Sequence, residues 1–555
     1  MPSHALLPSS HEDTYVYEQL PPRDQWPEFI FDRPELQYPD LVNVASELID
    51  IHVAQGHGDR PALHGYDGDA PFTWTYAELQ DRVDRIAHVL TQDMGLVSGN
   101  RLLLRGTNTP MMAACFLAGL KAGLVMVPTM PLLRATELKQ VIQKAKITAA
   151  LCMHHLADEL GYCQDKRHSQ YAPELKQVLH FGLKDGSTGL EGLMLGHARP
   201  FSAHPTSRDD ACLIAFTSGT TGSPKGTVHF QRDVLAMCDL FPRHILNMTP
   251  SDVVCGTPPI AFTFGLGGLL AFPLRYGAST VLLEKHTPES LLQTIATYRV
   301  TQCYTAPTFY RQMAHLAHQF DLGSLRHPVS AGEALPDATR QLWKEKTGID
   351  ITDGIGGTEM IHIYISSAGA EVRAGSIGRV VPGYTAQIVD DDMQAVAPGV
   401  PGRLAVRGPT GCRYLNDARQ TNYVRDGWNL PGDTFSMDAD GYFYYVARND
   451  DMIISAGYNI AGPEVESALM QHPAVAECGV IGVSDPERGQ VVMAYVSLKP
   501  EFVGDDEMVE ILQNFVKQQI APFKYPRRIQ FMPTLPRTET GKLQRFRLRQ
   551  LAADH

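Results

Sequence analysis

The chain has 555 residues and a formal net charge of −13 at pH 7, long enough for two or more domains with large cores. So acidic a balance argues against nucleic acid or an anionic membrane as the main partner, because nothing neutralises a phosphate backbone wholesale. The nine cysteines (Cys115, Cys152, Cys163, Cys212, Cys238, Cys255, Cys303, Cys412 and Cys478) stand without a CxxC or any paired spacing, the pattern of reduced thiols and not of a disulfide framework.

The amino terminus, MPSHALLPSSHEDTY, has no basic n-region and no long apolar stretch, so no signal peptide is read there. From about residue 60, short β-branched runs alternate with longer helical patterns. Strands are predicted at 101–107, 124–129, 147–153, 212–217, 279–284 and 300–306, and helices at 110–122, 134–145 and 287–298. Strand then helix, repeated, with the strands apolar throughout, implies parallel sheets covered by helices. The most apolar region, MMAACFLAGLKAGLVMVPTMPLL, is broken by Lys121, Pro128 and Pro131. It falls short of the roughly 18 uninterrupted apolar residues of a membrane span, so a cytoplasmic protein is expected.

The texture changes after about residue 375, where Gly/Pro-punctuated short strands follow one another: GSIGRVVPGY, QIVDDD, GRLAVRG and GYFYYVAR. They predict a compact β-rich subdomain over about 375–449. The last segment carries helices at 463–471 and 507–519 and strands at 475–483 and 491–498, enough for a separate small α+β domain.

The ten residues from Thr217 to Gly226, TSGTTGSPKG, pack three glycines, five hydroxyls and one lysine behind the predicted strand CLIAFT. In open α/β sheets the carboxyl ends of strands are where ligands bind. Glycines let backbone N–H groups converge on an anion, hydroxyls add donors, and Lys225 adds a mobile charge. A P-loop would need Ser or Thr after the lysine and a helix opening there. Here Gly226 follows Lys225, and Pro224 turns Ser223 away from helical geometry. A kinase or GTPase reading therefore loses its support. Taken alone, such a loop also reads as a plain linker.

It does not stand alone. TSGTTGSPKG, PIAFTFGLGG (259–268), SAGEALP (330–336), DGIGGTE (353–359), GWNLPGD (427–433), ARNDDMIISAGYNIAGPEVE (447–466) and PRTETGK (536–542) occur in this order. Together they resemble the signatures of the adenylate-forming enzymes, which include acyl- and aryl-CoA synthetases, luciferases and peptide-synthetase adenylation domains. The resemblance implies an α/β fold: a large N-terminal domain (1–449) of mostly parallel sheets with its β-rich subdomain, and a small mobile α+β domain (450–555). It implies a carboxylate attacking the α-phosphorus of ATP, then a thiol, usually that of coenzyme A, displacing AMP.

By that resemblance, Thr217, Ser218, Gly219, Thr220, Thr221, Gly222 and Lys225 hold phosphate. Lys542 is the catalytic lysine that bridges the substrate carboxylate and the α-phosphate. Losing one such preorganised donor costs roughly 3–4 kcal/mol. Thr358 donates to the α-phosphate and Glu359 holds Mg²⁺, a hard cation suited to one carboxylate plus phosphates. Gly332 and Glu333 pass along the adenine, Asp353 accepts from its amino group, and Gly354, Ile355 and Gly356 complete the nucleotide site, with Ile355 where many relatives carry Tyr. Asp433 accepts from the ribose hydroxyls with Arg448 nearby. Asp450 is the hinge, and Gly457 lines the thiol tunnel.

The acid pocket falls to Phe262, Thr263, Phe264, Gly265, Ala331, Gly356 and His362. No Asp stands in PIAFTFGLGG to pair an amino acid's ammonium, so the pocket reads as apolar and aromatic, suited to a flat uncharged ring. Core packing of the phenylalanines is the alternative. SAGEALP, DGIGGTEMIHIYIS and KGTVHFQRD resemble benzoate-type aryl-CoA ligases, and LPPRDQWPEFIFDRPELQYP with PPIAFTFGLGG looks closest to 2-aminobenzoate-CoA ligases. His362 or Thr263 could meet an ortho amino group, although a lone His beside an apolar run also reads as structural. Benzoate and hydroxybenzoates stay open, as does a carrier-protein thiol in place of CoA. A non-catalytic acyl or nucleotide sensor is the remaining reading, disfavoured by Lys542, Glu359 and Asp433 occurring together. The expected partners are a small aromatic acid, ATP and CoA, with no nucleic acid and no membrane, in a monomer or homodimer. Two lures fall away. Glu359 and His362 spell E-x-x-H without the second pair a di-iron bundle needs, and Cys152, His154, His155 and Cys163 match no zinc spacing.

Overall fold

Thr109 closes the first turn of helix Pro110–Lys121 by accepting from the Met112 amide at 3.2 Å, and Pro110 sits where its missing N–H costs nothing. This helix is buried on nearly every side, as its lack of a polar face requires. Its final residue, Lys121, reaches Asp50 at 2.7 Å and Asp84 at 2.5 Å, which keeps a buried ammonium paired. Helix Pro288–Tyr298 opens the same way, with Thr287 and Ser290 capping each other. In the computed structural model, residues 6–183, 189–217, 224–448, 451–455, 458–485, 488–520, 522–537 and 543–553 are described.

Two sheets carry the large part of the chain. The first runs, in spatial order, Gln177–Phe181, Ala149–Met153, Arg101–Arg105, Val125–Thr129, Ala211–Thr217 and Lys225–Phe230, parallel except for the last pair. The second has nine strands: Arg379–Val380, Ile363–Ser366, Thr352–Gly356, His327–Ala331, Gln302–Thr305, Val253–Gly256, Ser279–Val281, Pro61–Asp67 and Ala70–Thr75. Its middle is parallel and both edges turn antiparallel. The central strands are buried on both faces, which is why they read as continuous apolar runs. Among the described residues no helix is long and apolar enough to cross a membrane.

A β-rich sheet follows, ordered Val424–Arg425, Trp428–Asn429, Gly402–Arg407, Asp433–Met437, Phe443–Arg448, with Thr385–Val389 also pairing onto Gly402–Arg407. One expected member lies elsewhere: Arg379–Val380, from GSIGRVVPGY, extends the nine-stranded sheet instead. The last sheet is built from residues after 451: Tyr458–Ala461, Met452–Ser455, Gly489–Leu498 and Val475–Asp485, with Arg528–Phe531 parallel to Gly489–Leu498. Helices Gly462–Leu469 and Asp506–Gln519 pack their apolar residues into a core of their own.

Candidate active site

Strands Ala211–Thr217 and Lys225–Phe230 pair antiparallel with Thr217 opposite Lys225. The glycine-rich segment therefore joins two strands of a hairpin and does not lead from a strand into a helix. Pro224 had pointed that way. Lys144, in the last turn of helix Ala135–Ala145, donates to the Pro224 carbonyl at 3.3 Å.

Lys225 leaves the hairpin toward a turn of the other large sheet. Its Nζ lies 3.6 Å from Oε1 of Glu359 and donates to the Tyr414 hydroxyl at 2.9 Å. The Tyr414 hydroxyl in turn donates to the same Glu359 oxygen at 2.5 Å. Glu359 stands in the short turn Thr358–Met360 after strand Thr352–Gly356 and is buried. Ile361 follows at φ 66°, a strained conformation for a β-branched residue that its surroundings must impose.

A second, wholly buried group lies behind this turn. His229 Nε2 donates to the Thr358 carbonyl at 2.8 Å, and its Nδ1 lies 3.8 Å from Asp233. Asp233 pairs with the Arg413 guanidinium, which lies 4.0 Å from the centroid of the Phe230 ring. Burial alone would raise the Asp233 carboxyl, and Arg413 and His229 bring it below the ordinary range.

The residues expected beside the adenine line the carboxyl ends of neighbouring strands. Ser330, Ala331 and Gly332 end one, with Gly332 at φ 90°, and Asp353 lies in register with Ser330 on the next. Burial pushes the Asp353 carboxyl up to about 6 against the pull of Arg340, 3.5 Å away. A cleft of about 370 Å³ opens here, lined by Asp353, Arg340, Ile377, Tyr445, Ala461 and Glu464. Asp433 faces Arg448 directly across antiparallel strands. Glu333 meets Arg537 at 3.5 Å.

The acid-side motif is held from below. Asn108 donates to the Pro258 carbonyl at 2.9 Å and accepts from the Ile260 amide at 2.8 Å. Gly265 approaches this turn so closely that a Cβ there would stand 2.1 Å from the Pro259 carbonyl oxygen. Phe262 precedes the turn Thr263–Gly265, and Phe264, half-buried, sets its edge against Tyr304 at 5.7 Å. His362 lies among Phe272, Phe241 and Phe264 at 4.5, 5.6 and 5.8 Å. Its Nε2 donates to the Phe264 carbonyl at 3.4 Å, and burial drives the imidazole down to about 3, so the ring is neutral.

A model of the AMP-binding enzyme family matches residues 51–414, and one of the AMP-binding enzyme C-terminal domain matches residues 464–542. The chain belongs to this family. The benzoate–CoA ligase of Thauera aromatica is 34% identical over 525 residues, covering 93% of this chain and 97% of that protein. The anthranilate CoA ligase AuaEII, solved in complex with anthranoyl-AMP, superposes with a TM-score of 0.87 at 31% identity over 94% of this chain and all of the other. A benzoate CoA ligase from Burkholderia xenovorans LB400 gives 0.82 at 31% identity over 92% of this chain and all of the other. The chain is thus an AMP-forming acid–CoA ligase that uses ATP and CoA.

Of the residues expected to serve this AMP-binding enzyme, Thr217, Lys225, Thr358 and Glu359 converge on one point. Glu333, Asp353, Gly354, Ile355 and Gly356 lie on adjacent strand ends. Ser218, Gly219, Thr220, Thr221, Gly222, Asp450, Gly457 and Lys542 lie outside the described residues, and only the backbone of Arg448 is described. Tyr414, Arg413, His229 and Asn108 were not foreseen. His229 carried a faint signal, a histidine set between Val228 and Phe230 in KGTVHF.

Proposed function

We propose that this ligase activates a small aromatic carboxylate, foremost 2-aminobenzoate, through an aryl-adenylate and transfers it to coenzyme A. The observation that carries the reading is the aromatic cluster of Phe264, Tyr304 and neutral His362, the last lying three residues along the chain from Glu359. A flat ring fits an apolar aromatic site, and an α-ammonium finds no counter-charge in PIAFTFGLGG. Similarity to a ligase solved with anthranoyl-AMP points the same way.

In the first half-reaction an oxygen of the acid attacks the α-phosphorus and pyrophosphate leaves. Lys225 and the backbone of 218–222 neutralise the phosphates, Thr358 donates to the α-phosphate, and Lys542 bridges it to the incoming carboxylate. Asp433 and Arg448 orient the ribose, Gly332, Glu333 and Asp353 the base. Glu359 fits Mg²⁺: it offers a single hard oxygen donor beside the phosphate lysine, while the nearby soft donor, Cys412, is turned onto Gln420 at 3.5 Å. Bound there, the ion draws charge from the phosphates. In the second half-reaction residues 450–555 turn at Asp450 against 1–449, Gly457 opens the thiol path, and sulfur replaces AMP at the acyl carbon. We place the enzyme in the cytoplasm, as a monomer or homodimer.

Pyrophosphate release with ATP and Mg²⁺ tests this over 2-aminobenzoate, benzoate, 4-hydroxybenzoate, phenylalanine and octanoate, each with and without CoA. Preference for 2-aminobenzoate with CoA-dependent turnover is expected. Preference for octanoate or phenylalanine sinks the aromatic pocket, and turnover only with a carrier-protein thiol replaces CoA as acceptor.

A further inference from the structure

The Tyr414 hydroxyl stands between the two charged groups of the phosphate site, accepting from Lys225 at 2.9 Å and donating to Glu359 at 2.5 Å. These groups belong to different sheets. Lys225 begins a strand of the six-stranded sheet, and Glu359 follows a strand of the nine-stranded one. Tyr414 itself is tied to the first of these. Thr227 pairs with it as a β-bridge, Leu415 N donates to the Gly226 carbonyl at 2.8 Å, and Gln420 Oε1 accepts from Tyr414 N at 2.9 Å. Its ring is buried and packs edge-on against Tyr423 at 6.0 Å. A hydroxyl so placed has one backbone-determined position and fixes the Glu359 carboxylate relative to Lys225.

We propose that Tyr414 is a positioning residue that orients Glu359 for the divalent cation of a metal–nucleotide complex. The proposal rests on the reading of Glu359 as a metal-binding carboxylate. Ligating carboxylates are held by such outer hydrogen bonds, and losing one typically costs about 10–100-fold in metal affinity or activity.

Tyr414→Phe removes one oxygen and keeps the ring under Lys225, whose Nζ lies 4.9 Å from its centroid. Calorimetric titration would use α,β-methylene-ATP with and without Mg²⁺, and separately AMP without metal, on wild type and variant, with melting temperatures alongside. Affinity for the metal–nucleotide pair is expected to fall about 10–100-fold in the variant while AMP affinity holds. Unchanged metal–nucleotide affinity overturns the proposal, whatever the melting temperature does. So does an equal loss for AMP, which marks damage to the whole nucleotide site. If wild type binds the analogue equally with and without Mg²⁺, it is the reading of Glu359 that fails.

Discussion

Arg537 joins the segment before Lys542 to the adenine-side loop: its Nη1 lies 3.5 Å from Oε1 of Glu333, and its Nη2 lies 2.7 Å from Glu477. Arg537 also forms a β-bridge with Leu543, so the two residues flanking 538–542 are held together against the large part of the chain. We assign that arrangement to the first of the two proposed half-reactions. Arg537→Ala should slow pyrophosphate–ATP exchange by up to about 5-fold, the worth of a half-exposed ion pair. Thioester formation from preformed aryl-adenylate should stay near wild type. Equal losses in both halves would contradict this assignment.

Arg413 and Asp233 are fully buried partners. Asp233→Ala would strand a guanidinium in the core, at a cost of about 3–5 kcal/mol. Urea unfolding should show that loss. A change under about 1 kcal/mol, the size of an exposed pair, would mean that water reaches Arg413.

Gly265 has no room for a side chain, because its Cβ would meet the Pro259 and Pro258 carbonyls at 2.1 and 2.6 Å. Gly265→Ala must shift the turn that carries Phe264. A shift of roughly 1 Å at a positioning element costs about 10²-fold, expected in kcat/KM for the acid. The KM for ATP should not follow it. A matching rise in both would place Gly265 in the general fold of the site.

Asp353 offers a pH test. Its carboxyl is pushed up to about 6 by burial, with Arg340 opposing. In the proposed site the ionised carboxylate, present above that pH, accepts from the adenine amino group, and below it the proton blocks that role. The KM for ATP should therefore rise as pH falls through about 6, with a flat profile in Asp353→Asn. His362, neutral down to about 3, should add no step for the acid between pH 5 and 9. A profile unchanged by Asp353→Asn would remove Asp353 from the adenine site.

Much of this was legible in the sequence. The helix expected at 110–122 forms as Pro110–Lys121, set by Thr109 and Pro110, and the one expected at 287–298 as Pro288–Tyr298, set by Thr287 and Pro288. Pro224 announced that no helix opens at Lys225, but the strand Lys225–Phe230 was not foreseen. Strand ends were overrun: 279–284 is regular strand only over Ser279–Val281. Tyr414 and Arg413 could not be read, since each acquires its meaning from a partner far away in the chain, at Lys225, Glu359 or Asp233. The same holds for Asn108, whose clamp on Pro258 and Ile260 needs two sheets in place.

The central claim, that an aromatic acid is activated as its adenylate in this pocket, meets its most direct test in labelled pyrophosphate exchange into ATP without CoA. The account predicts exchange that depends on 2-aminobenzoate or a close aromatic acid and is lost in Lys542→Ala. Exchange supported by octanoate or phenylalanine while every aromatic acid stays silent would contradict it.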